Sequence, residues 1–592
     1  MNTTKILAFR KPLLISAWLL AMQGAAFAQN LRETFSSPNG KIEWKAEGEE
    51  NKVKVFEVAY RDACKGNKES QVLHITGYGL NTSDGGGRNL VLKDISKPKY
   101  ISEHYQMLMG KKSECKNEAN EIVYTFEDNL QRPLRMVVRL YNDGVAFRYE
   151  LEGLQHTSIK QDLTTYHISE GTRRWFQEWT ESYENFFPLS TTGKGGKQHW
   201  GYPCLLEQNG VYSLITEAGI ERINSASSLK NGQNPEDYHV FLDENTQHYS
   251  GNWKSPWRVV VIGKKQDLIA STLVTDVSAP CRLKDTSWIK PGSVSWIYWA
   301  YNHGSNDLNI IKKYVDMAKT LHLPYVLIDA EWDEMKNGAT IEEALKYAKD
   351  RGVKPLLWYN SSTAWCDPTP LYRLNTPEVR DKEFEWLKEI GIQGVKIDFF
   401  GGDSIGTMNY YIDLLEDAAR HKLLVNFHGA AIPRGWQRTY PNLMSVEAVY
   451  GSEWYNNKPT LTDNAAWHNC TLPFTRNVIG PMDYTPCTFT NSQHPHITTD
   501  AHELALLVIF ESALQHLADR PEGYRRQPVE VQNFIRYLPV AWEDTRLLSG
   551  YPAESVVIAR KSKDSWYISG LNGTENTKSC LLYTSDAADD LT

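Results

Sequence analysis

The spacing of apolar and polar residues divides the chain into segments with different periods. From residue 30 to about residue 285, short runs alternate apolar with polar positions or are rich in β-branched residues. Such runs lie at residues 53–60, 121–126, 136–141 and 145–151. A turn signal, Asn-Asp-Gly at 142–144, separates the last two. Period-two alternation with few helical stretches is typical of antiparallel sheets, so we predict a large β-sandwich over residues 29–285.

The period changes at about residue 294, where short apolar runs begin to alternate with segments of helical length. The apolar runs are 294–300, 325–330, 354–360, 394–400, 423–428, 443–449 and 474–480, and the amphipathic stretches are 307–321, 341–351, 377–390 and 405–421. Strand and helix in this alternation predict parallel βα units. Seven strands, with room for an eighth after a helix at 501–517, predict a (β/α)8 TIM barrel over residues 286–538.

Polar residues recur where the predicted barrel strands end. They are Asp329, Asn360, Asp398, His428 and Glu447. Barrel enzymes build their active sites at this face, so the recurrence favours a barrel over the alternative, a doubly wound open sheet.

A second β pattern follows the barrel. Residues 555–560 and 565–570 predict a hairpin within a C-terminal β domain that covers residues 539–580. So short a domain is too small to form a stable sandwich alone, and the composition changes abruptly at residue 581. We expect this domain to be truncated and residues 581–592 to be an artefactual tail.

The first 28 residues read as a signal peptide. Lys5, Arg10 and Lys11 precede an apolar run at 13–22, and Ala-Phe-Ala at 26–28 is a small-residue cleavage site. The alternative is a membrane anchor, but the run is short for a span. We predict cleavage before residue 29 and export to the periplasm. No later apolar run reaches the length of a span, so we expect no membrane insertion after cleavage.

Charge and cysteine content exclude several classes of protein. The 592 residues carry 64 basic and 72 acidic side chains, a formal charge of −8, so we expect no nucleic-acid partner. The eight cysteines form no C-x-x-C pair, which excludes a zinc ribbon and a thioredoxin motif. An exported protein could pair Cys64 with Cys115, but spacing alone leaves the disulfides open.

Carboxylates carry the strongest chemical signal. Asp398 lies near the end of a predicted barrel strand, with Lys396 two residues away on the same face. Glu447 ends another strand, and Glu453 lies in the loop that follows it. Two carboxylates facing each other across a pocket are what glycoside hydrolysis requires. A third nearby carboxylate indicates a calcium ion. The alternatives are a structural ion pair between Asp398 and Lys396 and solvated surface glutamates.

Two further sets of residues are candidates for the site. The first is at barrel strand ends and would contact a sugar: Asp329, Trp299, Trp332, Trp358, Lys396 and His428. For the tryptophans, plain packing is the alternative reading. The second is the G-x-S-x-G pattern at 402–406, which offers Ser404 as the nucleophile of a serine hydrolase. Its alternative is a βα loop with Ser404 near a helix start.

Four segments make the chain resemble glycoside hydrolase family 97. They are YNDGVAFRY at 141–149, VKIDFF at 395–400, EAVYGSE at 447–453 and AWEDTR at 541–546. The likeness spans nearly all of residues 30–580. It implies an N-terminal β-sandwich, a catalytic (β/α)8 barrel and a small C-terminal β domain.

The same resemblance implies roles for individual residues. Inverting members of the family use a glutamate on the fifth strand as base, and Gly429 occupies that position here. Retaining members use an aspartate on the fourth strand as nucleophile, and Asp398 matches it. Glu453 matches the acid/base residue. The implied calcium ligands are Glu184, Glu447 and Glu453, with Glu181 and Glu178 as alternatives to Glu184.

The resemblance implies a calcium-dependent retaining exo-glycosidase that hydrolyses terminal α-galactosides by double displacement. Its partner would be an oligosaccharide or another galactoside, and we expect a monomer. The alternatives are an α-glucosidase of the same family, another glycone such as β-L-arabinopyranose, and a non-catalytic carbohydrate-binding protein.

Overall fold

The computed structural model describes residues 30–62, 68–243, 247–299, 301–491 and 493–580. The predicted signal peptide, Cys64 and the predicted tail at 581–592 lie outside these residues. Cys115 is buried and carries a free thiol.

The N-terminal part is an antiparallel sheet domain, as the period-two alternation predicts. Eighteen of its strands form one hydrogen-bonded network, and β5 pairs separately with β11. The strands are β1 (Asn30–Ser36), β2 (Ile42–Glu49), β3 (Lys52–Asp62), β4 (Lys68–Gly77), β5 (Leu80–Thr82), β6 (Val91–Ile95), β7 (Lys99–Gln106), β8 (Glu114–Glu127), β9 (Pro133–Tyr141), β10 (Gly144–Thr157), β11 (Ile159–Asp162), β12 (Thr165–His167), β13 (Arg173–Glu178), β14 (Leu189–Ser190), β15 (His199–Gln208), β16 (Val211–Ala218), β17 (Ser227–Asn231), β18 (Asp237–Leu242), β19 (Tyr249–Lys254) and β20 (Trp257–Gly263). Two short helices close the domain, α1 (Lys265–Ala270) and α2 (Leu273–Asp276).

Aromatic side chains fill the core of this domain. Trp44 on β2 packs on Phe56 of β3 at a ring distance of 5.0 Å. From the strands opposite, Tyr124 of β8 approaches Phe56 at 5.3 Å and Phe147 of β10 approaches Trp44 at 6.0 Å. All four are buried, so the two layers enclose one aromatic core and the predicted sandwich is confirmed.

The central part is a nearly closed barrel of parallel strands. In the described residues it has seven: β21 (Gly292–Ile297), β22 (Tyr325–Ile328), β23 (Lys354–Asn360), β24 (Gly394–Asp398), β25 (Leu424–Phe427), β26 (Leu443–Val446) and β27 (Leu514–Leu517). Neighbours pair in the order β26, β25, β24, β23, β22, β21, β27. The barrel architecture is therefore confirmed, and the open doubly wound sheet is wrong.

Two details of the predicted barrel are wrong. The seventh predicted strand, 474–480, contains the 3-10 helices Leu472–Phe474 and Arg476–Val478 instead. The gap between β26 and β27 is bridged further along, where Met482 N–H donates to the Glu511 carbonyl (2.8 Å) and Asp483 N–H donates to the Val446 carbonyl (3.0 Å). The predicted helix at 501–517 ends early, because its last four residues form β27.

Helices cover the outside of the barrel. They are α3 (Leu308–Thr320), α4 (Ile341–Asp350), α5 (Pro377–Ile390), α6 (Ile405–Arg420), α7 (Trp436–Thr439), α8 (Pro459–Thr471), α9 (Asp500–Ile509), α10 (Pro521–Arg526) and α11 (Val529–Tyr537), with a 3-10 turn at Ser452–Tyr455. Side-chain caps fix where they begin: Thr340 and Glu343 form a capping box at α4, and Thr376 caps α5. The loops before α4 and α5 leave the carboxyl ends of β22 and β23 and therefore lie at the mouth of the barrel.

The C-terminal part is a three-stranded antiparallel sheet of β28 (Asp544–Tyr551), β29 (Ser555–Ser562) and β30 (Ser565–Asn572). Pairing of β29 with β30 confirms the predicted hairpin. Arg560 fixes this sheet to the barrel by donating to the carbonyls of Val508 (2.6 Å) and Ile509 (2.8 Å). Among the described residues, no helix combines the length and apolarity that crossing a membrane requires.

Candidate active site

A cavity of about 230 Å³ opens at the mouth of the barrel, where the strands have their carboxyl ends. Seven of the ten predicted site residues line it: Glu184, Asp329, Trp358, Lys396, Asp398, Glu447 and Glu453. Trp299, Trp332 and His428 are outside the lining. The topology therefore gathers residues from β22, β23, β24, the loop after β26 and the N-terminal domain into one site.

Asp398 is the last residue of β24 and is 7% exposed. Its Oδ1 accepts a hydrogen bond from the Phe399 N–H (2.9 Å), and its Oδ2 accepts one from Trp358 Nε1 (3.1 Å). Phe399 has a φ of +64°, an uncommon conformation that turns the chain sharply after the carboxylate. These contacts hold both oxygens of Asp398 in fixed positions at the cavity wall.

Lys396 lies between two carboxylates on the cavity floor. Its Nζ is 3.1 Å from Asp329 Oδ2 and 3.7 Å from Asp398 Oδ2. Burial opposes the charged form, but Asp329 and Asp398 together raise the pKa of Lys396 above its ordinary value. Trp296 Nε1 also donates to Asp329 Oδ2 (2.7 Å). The predicted ion pair between Lys396 and Asp398 is present, and it lies inside the cavity rather than away from it.

Gly429 leaves no space for a side chain beside Asp398. It has a φ of +45°, and a Cβ placed there would lie 2.8 Å from Asp398 Oδ1 and 2.9 Å from the Phe399 nitrogen. Contacts below 3.0 Å are not found for real Cβ atoms, so a longer residue would displace the aspartate. A glutamate at position 429 and the observed position of Asp398 are therefore mutually exclusive.

Two glutamates of the cavity, Glu447 and Glu453, lie close to each other and to His428. Glu447 follows β26 and is buried; its Oε2 accepts a hydrogen bond from the Gly429 N–H (2.7 Å). Ligand atoms of His428, Glu447 and Glu453 all lie within 4.8 Å of one another. Burial, Glu184 and Asp398 raise the pKa of Glu447 well above its ordinary value. Burial and Glu447 do the same to the pKa of Glu453.

Glu184 reaches the cavity from the N-terminal domain. It lies between β13 and β14, and its Oε1 accepts a hydrogen bond from Trp454 Nε1 (2.8 Å) on the barrel. Burial raises the pKa of Glu184, and Asp398 adds to the shift. Neither alternative residue lines the cavity, because Glu181 is exposed and Glu178 accepts a hydrogen bond from the Lys197 N–H.

A buried network behind Glu184 ties the two domains together. Arg434 of the barrel contacts Glu217 of β16 (2.7 Å) and Asp403 (3.1 Å), and neither of the two ion pairs is exposed to solvent. The Tyr183 hydroxyl donates to Asp403 Oδ2 (2.6 Å) and accepts from Arg434 (2.9 Å). Because Tyr183 precedes Glu184, this network fixes the loop that carries the glutamate.

His428 lies behind the cavity wall rather than in its lining. Its Nδ1 is 3.2 Å from Glu447 Oε1, and its Nε2 is 2.7 Å from Asp483 Oδ2. Asp483 Oδ2 also accepts from Asn426 (2.6 Å) and is 2.7 Å from His516 Nδ1. Asp483 therefore orients the histidine toward Glu447. Asp483 is not predictable from the sequence, because no local pattern marks a residue that bridges β26 and the segment before β27.

The structure places two predicted sugar contacts away from the cavity. Trp299 is buried and donates from Nε1 to the Ser452 carbonyl (3.1 Å). Trp332 is also buried, donates to the Trp358 carbonyl (2.7 Å) and stacks on Trp386. Their indoles satisfy backbone groups and fill core volume, so the packing alternative holds for these two residues.

Ser404 is a helix cap rather than a nucleophile. It begins α6, where its Oγ accepts a hydrogen bond from the Thr407 N–H (3.2 Å). Oγ also contacts Thr407 Oγ1 (3.0 Å), and Ser404 does not line the cavity. The local geometry offers it no base, so the G-x-S-x-G pattern marks a strand-to-helix turn.

The cavity also contains residues that the sequence pattern does not predict. They are Tyr298, His303, Trp365, Phe399, Trp454 and Asn457, among others. Most lie in the loops that follow strands, where length and direction carry no periodic signal. Phe399 could have been found from its position directly after Asp398.

Sequence comparisons agree with this architecture domain by domain. Residues 35–280 match the family described as glycosyl-hydrolase 97 N-terminal, and residues 292–449 match glycoside hydrolase 97. Residues 541–584 match glycosyl-hydrolase 97 C-terminal, oligomerisation.

Whole-chain comparisons point the same way. A probable retaining alpha-galactosidase of Streptomyces bingchenggensis is 34% identical over 485 residues, covering 79% of this chain and 73% of that protein. A retaining alpha-galactosidase of Bacteroides thetaiotaomicron is 26% identical over 590 residues, covering 87% and 84%. The crystal structure of a beta-arabinopyranosidase superimposes with a TM-score of 0.85 at 28% identity, covering 92% of this chain and 91% of that one. This chain is a glycoside hydrolase that belongs to glycoside hydrolase family 97.

Proposed function

We propose that this enzyme is a calcium-dependent retaining exo-glycosidase that hydrolyses terminal α-galactosides by double displacement. The observation that carries the proposal is the pair Asp398 and Gly429. A carboxylate is held in the cavity wall by two hydrogen bonds, and the position of an inverting base has no room for a side chain. A site with a fixed nucleophile and no base favours retention.

The cavity residues divide the reaction between them. Asp398 attacks the anomeric carbon, and the bond from that carbon to the leaving oxygen breaks. Glu453 gives its proton to the leaving oxygen. In the second step Glu453 takes a proton from water, which attacks the anomeric carbon and releases Asp398. Lys396 and Trp358 keep Asp398 in position through both steps.

The donor set in the cavity fits calcium. Glu184, Glu447 and Glu453 bring three carboxylates to the cavity lining, and hard divalent cations prefer oxygen ligands. Their raised pKa values reflect burial and mutual repulsion. These three residues would hold the ion. Bound calcium supplies positive charge that offsets this repulsion. His428 offers a nitrogen, which calcium does not favour, so its role is to contact Glu447.

The choice of galactose rests on the relatives. Two of them are named as retaining alpha-galactosidases, which supports the same glycone here. The structural neighbour named as a beta-arabinopyranosidase favours a second candidate. Arabinopyranose is a galactose without its hydroxymethyl group, and a pocket separates such a pair by a modest factor only.

Export and assembly complete the proposal. The predicted signal peptide supports an exported, periplasmic enzyme. The prediction of a monomer stays a prediction, and the description of the C-terminal family as an oligomerisation domain supports an assembly instead.

The test is hydrolysis of matched aryl glycosides. We expect α-galactoside cleavage with calcium present, loss of that activity after chelation and its return when calcium is restored. Preferred cleavage of the α-glucoside or the β-L-arabinopyranoside would change the assigned glycone and leave the proposed mechanism in place. The chain is a carbohydrate-binding protein if the wild type binds galactosides but cleaves none of the three glycosides, and if the Asp398→Ala variant binds galactosides as tightly as the wild type does.

A further inference from the structure

Trp365 is a cavity residue that the proposed mechanism does not use. It lies in the loop between β23 and α5, lines the catalytic cavity and yet is 55% exposed. Its indole Nε1 makes no hydrogen bond to the part of the chain that the structure describes. The other aromatic rings of the cavity are half-buried or, for Trp358, buried. A large indole that is more exposed than these, at the rim of the cavity, indicates a contact surface for a ligand.

The loop holds this indole in a fixed position. Asn360, the last residue of β23, donates from Nδ2 to the Trp365 carbonyl (3.0 Å) and to the Pro368 carbonyl (3.1 Å). Asn360 Oδ1 also accepts a hydrogen bond from the Ser362 N–H (2.8 Å). The buried Asn360 amide thus hydrogen-bonds the loop at Ser362, Trp365 and Pro368. These bonds fix the loop to the end of a barrel strand, so the indole is positioned before any ligand binds.

A chain of aromatic contacts links Trp365 to the nucleophile. The Trp365 ring meets Phe399 edge to face, with centroids 4.7 Å apart. Phe399 meets Trp358 in the same manner at 5.9 Å, and Trp358 donates to Asp398. Trp365 therefore lies at the outer end of the wall whose inner end is the catalytic carboxylate.

We propose that Trp365 is the stacking platform for the sugar on the leaving-group side of the cleaved bond. The inference rests on the proposed function. The buried floor, formed by Asp329, Lys396 and Asp398, receives the terminal sugar. In an exo-acting pocket the leaving group points from the floor toward solvent, and Trp365 occupies that exit. Its free Nε1 can donate to a hydroxyl of the second sugar.

The test separates leaving groups that can stack from one that cannot. Wild type and Trp365→Ala are assayed on an α-1,6-linked galactosyl disaccharide and on α-galactosyl fluoride, which has no second sugar. We expect the variant to lose about 3- to 10-fold in kcat/KM on the disaccharide, mainly through KM, and to stay within about twofold on the fluoride. Trp365→Phe should recover part of the loss.

Tyr372→Ala is the matched control, because Tyr372 lies on the same loop, is 61% exposed and does not line the cavity. It should leave both substrates unchanged. An unchanged Trp365→Ala, or equal losses on both substrates, overturns the platform. If the wild type prefers another glycone, Trp365 is tested with the disaccharide and the fluoride of that glycone. Failure of the Trp365 proposal and failure of the galactose assignment are therefore distinct results.

Discussion

At the scale of single residues, the site depends on what stands next to Asp398. The carboxylate follows directly from a strand ending, but its orientation depends on Trp358 from β23 and on the backbone of Phe399. Gly429 contributes by having no side chain. Each of these residues can be tested separately.

Removal of the proposed nucleophile, Asp398, should be rescued by an external nucleophile. Asp398→Ala should lose at least about a thousandfold in kcat, because no described side chain can replace the carboxylate. Azide should restore turnover of an activated α-galactoside and give the β-galactosyl azide, since it attacks from the side that Asp398 occupied. Asp463→Ala, at an exposed aspartate on α8, is the control and should behave as wild type. An α-configured azide product would contradict the assignment.

A methyl group at Gly429 should damage catalysis more than stability. In Gly429→Ala the Cβ would meet Asp398 Oδ1 at 2.8 Å. The positive φ should cost roughly 1–2 kcal/mol in the free energy of unfolding. We expect kcat to fall by more than about tenfold, measured beside a denaturant titration. A variant with normal kcat would show that Asp398 tolerates displacement, and would remove the steric argument for retention.

At the scale of elements, the sequence predicts where strands lie, because hydrophobic periodicity marks them. It does not predict which segments pair with each other. Six barrel strands lie near their predicted positions, because each is a short buried apolar run and four of them follow a helix of predictable length. The segment 474–480 has the same apolar character, but it forms 3-10 turns while Met482 and Asp483 bridge the barrel gap. Which of two adjacent segments pairs with β26 depends on distant residues, and no local pattern reports it.

The site residues also divide into those that the sequence predicts and those that depend on distant contacts. Asp398, Glu447 and Glu453 were predicted from strand ends and from the family resemblance. Trp299 and Trp332 do not line the cavity, because a tryptophan at a strand end can turn inward to bond a backbone carbonyl, as both do. Trp365 was missed because loop direction is set by the Asn360 anchor, which sequence alone does not reveal.

The buried network behind Glu184 should be essential for stability. Arg434→Met leaves Asp403 buried without its cation and removes one of the two cations of Glu217, which keeps Arg258, so we expect the free energy of unfolding to fall by about 3–5 kcal/mol. Calcium affinity, measured by calorimetry, should fall with it because Tyr183 and Glu184 lose their support. Arg525→Met is the control: this arginine is 67% exposed, and surface pairs contribute about 1 kcal/mol at most. Equal effects of the two substitutions would contradict this role.

At the scale of the whole molecule, the three domains meet around one partly buried lysine. Lys111 of the N-terminal domain donates to the carbonyls of Ile269 (3.1 Å) and Val478 (2.8 Å), the latter in the barrel. Its own carbonyl accepts from Thr545 Oγ1 of the C-terminal sheet (2.8 Å). The junction joins all three parts without any sequence motif that could have predicted it.

Lys111 should make stability depend on pH. Burial lowers the pKa of Lys111 from 10.5 to about 7, so between these values the unfolded chain binds more protons than the folded one. The free energy of unfolding from this group therefore rises with pH, by up to about 1.4 kcal/mol per pH unit. Wild type should gain stability relative to Lys111→Met between pH 7 and pH 9 in denaturant titrations. A constant difference between the two proteins would show that the lysine stays charged in the folded protein.

The central claim is retention at the anomeric carbon, and one measurement tests it most directly. Proton NMR should follow the sugar released from an aryl α-galactoside, with calcium present and before mutarotation. The account predicts that α-galactose appears first, since two displacements at Asp398 restore the starting configuration. If β-galactose appears first, the enzyme inverts, and Asp398 is not the nucleophile.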